Sequence, residues 1–211
     1  MTITFYDCPT APSPRRARIV LAEKAIPHTL VNIDLATGEQ RGPAFAAINP
    51  RLTVPALALD DGIVLTDNAA IAAWAEAAYP DPPLLGSTSL EKAAVASWNA
   101  RVEMEGFMAI AEALRNSSPA MKDRALPGPV DYAQIPELAE RGKARLSAFI
   151  DTLDAQLASN SHVAGKHFSL ADITAVVAVD FARVLRVKPA ETHPNIARWR
   201  GAMAERPSMS L

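Results

Sequence analysis

Two short segments hold the residues whose types and spacing can do chemistry. Asn49-Pro50-Arg51-Leu52-Thr53-Val54-Pro55-Ala56-Leu57 puts a Val-Pro bond at the entrance of a short apolar strand, and Thr66-Asp67-Asn68 stands at the start of a helical pattern. Proline removes a ladder donor and fixes φ, so Pro55 belongs at a strand edge or at a special peptide geometry. A cis bond there, which X-Pro adopts at a cost of only about 0.5–1 kcal/mol, turns the N–H and C=O of Val54 outward. An extended peptide then pairs with them as an added strand. The polar triplet offers helix N-terminal N–H groups to a carboxylate, and the Asp67 carboxylate to an ammonium. Together the two segments describe a receptor for a small zwitterionic peptide.

Those segments need a scaffold, and the chain changes character near residue 80. Before it, strand and helix patterns alternate: a strand over Thr2 to Tyr6, a helix over Pro14 to Ala25, a strand over His28 to Ile33, and a short helix ending over Pro43 to Ile48. Strands over Pro55 to Leu59 and Ile63 to Leu65 flank Asp60-Asp61-Gly62, a hairpin signal. A helix over Ala69 to Tyr79 carries Ile71, Trp74, Ala75 and Ala78 on one stripe. This βαβαββα order is the thioredoxin-like arrangement, an α/β unit with parallel pairing first and an antiparallel hairpin after.

Pro80-Asp81-Pro82-Pro83 ends that unit. The expected organisation is a thioredoxin-like domain over 1–79, a linker over 80–88 and an all-helical bundle over 89–211. Ser89 reads as the N-cap of one long helix from Leu90 to about Arg115. A Pro/Gly-rich stretch from Pro119 to Pro136 leads to a helix over Glu137 to Ala158. Ser169, with Asp172 at N3, opens a further helix to about Leu185 as a reciprocal capping box, and Pro194 to Glu205 forms the last.

The 211 residues, 49% apolar and 21% charged with net charge −2, are ordinary for a globular protein and offer no general attraction to nucleic acid or anionic membrane. MTITFYDC has neither a basic start nor a long apolar run, which predicts no leader, no membrane partner and a cytoplasmic location. A single cysteine, Cys8, excludes an internal disulfide. His28, His162, His167 and His193 lack zinc-ligand spacing, so no metal is expected. No phosphate loop or Ser-His-Asp arrangement is visible.

The chain resembles the cytosolic glutathione transferases over nearly its whole length. The likeness rests on Tyr6-Asp7-Cys8-Pro9 leading into Arg16-Ala17-Arg18-Ile19, on Leu21-Ala22-Glu23-Lys24, Asn49-Pro50 and Val54-Pro55-Ala56-Leu57. It continues through Asp60-Asp61-Gly62, Asp67-Asn68-Ala69-Ala70-Ile71 and Phe168-Ser169-Leu170-Ala171-Asp172-Ile173. The first helix looks most like the atypical branch typified by a yeast transferase and common in bacteria. The resemblance implies glutathione as co-substrate, an electrophile pocket shaped by the helical domain, and a homodimer.

Carried over residue by residue, the resemblance implies a glutathione site at Gln40, Thr53, Val54, Pro55, Asp67 and Asn68. Relatives usually have Glu or Gln followed by Ser or Thr at the last two positions; here Asp67 is a methylene shorter, and Asn68 still donates. Arg41 and Arg51 lie in loops facing the glycyl carboxylate or plain solvent. Such an enzyme must hold the cysteinyl sulfur as thiolate against a free thiol pKa of roughly 8.5. The serine position of several classes falls on Ala11, which has no hydroxyl. Ser13 is the neighbouring candidate, though before Pro14 its simplest role is an N-cap. The atypical branch implies a second route through Asn116 and Ser118, which otherwise form a helix-ending turn. Cys8-Pro9 resembles glutaredoxin-like and omega-type sites, but Cys8 lies five residues before Ser13, where a packed spectator thiol fits better. Phe107, Met108, Ala111 and Leu114 are the expected pocket neighbours. The implied activity is conjugation of the glutathione thiolate to small apolar electrophiles. The alternatives are a glutathione-dependent reductase, isomerase or dehalogenase, or a non-catalytic glutathione-binding module.

Overall fold

The structure, a computed structural model, describes residues 3–211, so the Thr2 end of the first expected strand lies outside the described residues. Contacts divide the chain into two units. The first runs through Pro82 and includes Pro127–Val130 and Leu211; the second comprises Pro83–Leu126 and Asp131–Ser210.

The first unit has the order β1 (Thr4–Asp7), α1 (Pro12–Glu23), β2 (Thr29–Asn32), α2 (Pro43–Ile48), β3 (Ala56–Ala58), β4 (Val64–Leu65) and α3 (Asn68–Ala78). The sheet order is β2-β1-β3-β4, with β1 parallel to β2 and the other two pairings antiparallel. Thr4 pairs with Thr29 on one side and Ala58 on the other. This is the thioredoxin-like fold. Phe5, Ile19, Leu21, Leu57 and Ile71 are fully buried, and α1 packs on α3. A second apolar cluster joins Cys8, Ile33, Phe45, Val54 and Ala56, with Tyr6, Ala11 and Ile48 against it. The β3–β4 hairpin turns at Gly62, whose φ of 85° suits a residue without Cβ.

Helix α1 starts earlier than expected. Its N-cap is Ala11 and Pro12 takes the first helical position, so Ser13 is not the cap. Either proline suits the first turn, where N–H groups have no intrahelical partner. The chain uses the earlier one, which places Ser13 inside the first turn.

The second unit is all-helical: α4 (Ser89–Arg101), α5 (Met108–Ser117), α6 (Pro136–Leu157), α7 (Leu170–Phe181), α8 (Pro189–Thr192) and α9 (Pro194–Ala204). Two expectations need correction. The cap of α4 is Thr88, not Ser89: Thr88 Oγ1 accepts from Glu91 N at 3.2 Å, and Glu91 Oε2 accepts from Thr88 N at 3.1 Å. The capping-box spacing of three residues fits Thr88 and misses Ser89. Nor is Leu90 to Arg115 one regular helix, because Val102–Phe107 forms a wide i→i+5 turn between α4 and α5. Within it, a Cβ on Gly106 would lie 2.8 Å from the Phe149 ring of α6. That approach needs glycine.

Helix α7 is buried on all sides from Leu170 to Val179 and forms the core of its unit. Ser169 and Asp172 make the expected reciprocal box. Asp172 also accepts from Val163 N at 2.9 Å and Trp199 Nε1 at 3.0 Å. Burial raises its carboxyl, and these donors oppose the shift.

Candidate functional site

In the first unit the turn from β1 into α1 is fixed by charge. The buried Asp7 carboxylate accepts from Cys8 N at 2.7 Å and from Arg18 Nε and Nη2 at 2.8 and 2.9 Å. Ala11 N donates to Cys8 O at 3.0 Å, closing the turn. Bidentate charge-assisted bonds of this kind have a defined geometry, so the first residues of α1, Ser13 among them, are held in place. Cys8 is buried in the apolar cluster with its Sγ 3.5 Å from Thr10 Oγ1.

Helix α3 supplies the second part. Asp67 is its N-cap, accepting from Ala70 N at 2.8 Å. Asn68, the first helical residue, donates from Nδ2 to Ser13 Oγ at 3.0 Å. Because Ser13 Oγ accepts that bond, the Ser13 proton is free to donate elsewhere. The Asn68 Oδ1 atom is buried with no partner among the described residues. A buried unpaired acceptor costs about 1–3 kcal/mol, and an incoming N–H removes that cost.

The Val54–Pro55 bond is cis. Val54 sits in the cluster that Ala11 packs against, so the start of α1 and residue 54 share one apolar floor. Among the described residues neither the N–H nor the C=O of Val54 has a hydrogen-bond partner. Thr53 receives Asn49 Nδ2 at its carbonyl, 2.7 Å, and at its hydroxyl, 3.3 Å. Gln40 lies buried in a short 3₁₀ turn, Glu39–Arg41, with Oε1 unpartnered among the described residues. No bond joins Gln40 to Ser13, Val54 or Asn68.

The remaining candidates belong to the second unit. Asn116 is buried at the end of α5, where Nδ2 donates to Glu112 O at 2.9 Å and Oδ1 accepts from Ile135 N at 2.9 Å. Ser118 ends that helix, and its carbonyl accepts from Gln134 Nε2 at 2.8 Å. Gln134 also bonds Arg115 O at 2.7 Å, so one side chain straps residues 134–135 onto the helix end. Burial, then the charge of Arg124, lowers the Arg115 pKa. Phe107 stacks on Phe181 with centroids 6.5 Å apart, and Met108 is half exposed.

Sequence reasoning passed over three positioning groups: the Asp7–Arg18 pair, Asn49, and Gln134. The first two lie in segments singled out above, but only tertiary placement reveals their partners. Among the described residues no group of three His, Cys, Asp or Glu side chains is placed to hold a metal ion. No helix among them is long and apolar enough to cross a membrane.

Comparison with known proteins gives the arrangement its context. Residues 10–78 match the glutathione S-transferase N-terminal domain and residues 112–207 the glutathione S-transferase C-terminal domain. Glutathione S-transferase 2 of Saccharomyces cerevisiae is 33% identical over 97% of this chain and 87% of its own. The crystal structure of Gtt2 from the same yeast superposes with TM-score 0.87 at 33% identity, covering 100% of this chain and 99% of that one. A glutathione transferase homologue from Sulfitobacter, solved with bound glutathione, has TM-score 0.82 and 26% identity over 99% of this chain and 95% of its own. The N-terminal match covers the segment that carries Ser13, Val54 and Asn68, the C-terminal match runs from within α5 through α9, and the chain belongs to the glutathione S-transferase family as a transferase of that type.

Proposed function

We propose that the chain conjugates the thiolate of glutathione to small apolar electrophiles, and that Ser13 is the hydroxyl that stabilises the thiolate. The observation that carries this reading is the Asn68 Nδ2 to Ser13 Oγ bond of 3.0 Å. It occupies the serine as acceptor and leaves its proton to donate to sulfur. Pro12 and Pro14 have no N–H, which removes two main-chain donors from the first turn of α1 and leaves more of the role to the Ser13 hydroxyl. The positive end of the α1 dipole adds to it. A donor to the charged form lowers an acid's pKa, which is the shift that a thiol of pKa about 8.5 requires at neutral pH.

The groups around Ser13 fit a zwitterionic tripeptide. Val54 offers both main-chain groups to an extended backbone, next to Thr53 and Pro55. Asp67, whose Oδ1 already caps Ala70 N, offers its other carboxylate oxygen to an ammonium, and the N–H groups of Asn68 and Ala69 at the start of α3 suit a carboxylate. The unpaired oxygens of Asn68 and Gln40 await donors, which the tripeptide's amides and ammonium supply. The resemblance to the atypical branch makes Asn116 and Ser118 the alternative candidates for stabilising the thiolate. The amide of Asn116 already holds two partners, so the Ser118 hydroxyl carries more of that proposal. With no strong base needed, catalysis rests on thiolate stabilisation and positioning. A cytoplasmic homodimer completes the reading, by analogy with the family.

An ultraviolet titration of bound glutathione against pH tests the mechanism, repeated with Ser13→Ala, Asn116→Ala and Ser118→Ala. The expected result is a depressed thiol midpoint that returns toward the free value in Ser13→Ala alone. A bound thiol that titrates as in free solution refutes the transferase mechanism. One observation favours a second reading: the maleylacetoacetate isomerase of Pseudomonas aeruginosa is 41% identical over 92 residues, 43% of this chain. Turnover of maleylacetoacetate faster than conjugation would select that glutathione-dependent isomerase.

A further inference from the structure

We propose that Asn49 is a positioning residue for the reaction, setting the direction of the Val54 main chain against which the peptide substrate docks. The inference rests on the reading that glutathione pairs with Val54. Asn49 is fully buried at the end of α2, and all its polar bonds serve the turn around it. Its N–H donates to Phe45 O at 2.8 Å and its carbonyl accepts from Leu52 N at 2.9 Å. Its Oδ1 accepts from Arg51 N at 3.0 Å, while Nδ2 donates to Thr53 O at 2.7 Å. Pro50 has no N–H to contribute. A single side chain therefore closes the turn over residues 49–53.

The decisive bond is the one to Thr53 O. That oxygen and the Val54 N–H belong to one planar trans peptide, where C=O and N–H point in opposite directions. Holding Thr53 O on the Asn49 side aims the Val54 N–H away from Asn49. The turn also carries a conformational cost at Leu52, whose φ of +56° lies in the left-handed region that a residue with Cβ disfavours. Asn49 bonds the residues on both sides of Leu52, and so holds it there. Without the amide, Leu52 relaxes toward negative φ and the Thr53–Val54 peptide rotates.

The test is calorimetric binding of glutathione, with steady-state kinetics, for the parent, Asn49→Ala, Leu52→Gly and the double variant. Losing a bond that fixes a strained turn weakens glutathione binding roughly tenfold, with kcat at saturating glutathione near the parental value. Adding Leu52→Gly recovers part of the loss, because glycine takes positive φ without restraint. A residue that merely stabilised the fold would show neither the split between KM and kcat nor that recovery. Unchanged affinity in Asn49→Ala, or a double variant no better than the single, overturns the proposal. Should Asn49→Ala not fold, Asn49→Asp, which keeps the acceptor for Arg51 N and loses the donor to Thr53 O, is read by the same criteria. Glutathione methylated at the cysteinyl nitrogen separates the underlying reading: a parent that binds it as tightly as glutathione refutes docking along Val54, whatever Asn49 does.

Discussion

The same substitution, glycine to alanine in a helix, should act in opposite directions at two positions of the second unit. Alanine is the better helix former by roughly 1 kcal/mol, and at Gly201 on α9 a Cβ meets no atom within 4 Å. Gly201→Ala should stabilise by about 0.5–1 kcal/mol. At Gly142 on α6 the added carbon would lie 2.6 Å from Ala113 N and 2.7 Å from Ala109 O. Ordinary contact begins near 3.4 Å, and both atoms belong to the main chain of α5, so no side chain can swing away. Helix α5 must withdraw from α6 by several tenths of an ångström, and overpacking of this kind costs about 1–3 kcal/mol. Set against the propensity gain, Gly142→Ala should be less stable by roughly 1–2 kcal/mol. In urea that lowers the unfolding midpoint by about 0.5–1 M for ordinary slopes. A midpoint for Gly142→Ala at or above that of the parent would refute the close-packing argument.

Three further outcomes follow from buried and charged groups. Lys24→Met leaves the Tyr79 and Pro82 carbonyls, both 2.8 Å from Nζ, and the Glu76 carboxylate without their ammonium, and should cost about 3–5 kcal/mol in equilibrium unfolding. Cys8→Ala should retain conjugating activity, because the thiol is buried in the apolar cluster; loss of activity with an intact fold would make that thiol a participant. Arg141, chiefly, with help from Arg145, holds the Glu112 carboxyl below its ordinary 4.5. A depressed acid contributes stability above its unfolded pKa and loses it as pH falls through the folded value. Acid unfolding below about pH 4.5 should therefore be less steep in Arg141→Gln than in the parent, measured by circular dichroism.

Local chemistry was legible in the sequence wherever one short segment contained both partners. Asp60-Asp61-Gly62 announces the β3–β4 hairpin, and Ser169 with Asp172 announces the start of α7. Where two neighbours competed, the choice went astray: Pro12 or Pro14 can each begin α1, and Thr88 or Ser89 can each cap α4. The glutamate three residues on is the clue that favours Thr88. The wide turn at Val102–Phe107 leaves no mark in polarity, since it needs no break in the apolar pattern and only Gly106 hints at it. Long-range partners had no signal at all. Ser13 and Asn68 meet across 55 residues, and no spacing rule connects them. Asn49 was visible as a residue type, but its work consists of bonds to main-chain atoms whose directions exist only after folding.

The extra residue wound into Val102–Phe107 also sets a phase. In a regular α-helix each residue advances about 100° around the axis, so a chain shortened by one position there could run on from α4 into α5 without interruption. Everything downstream would then be turned by about that angle. Asn116 would leave Ile135, and Gly142 would lose the main chain it lies against. Natural variation in this segment should therefore conserve length more strictly than side-chain identity.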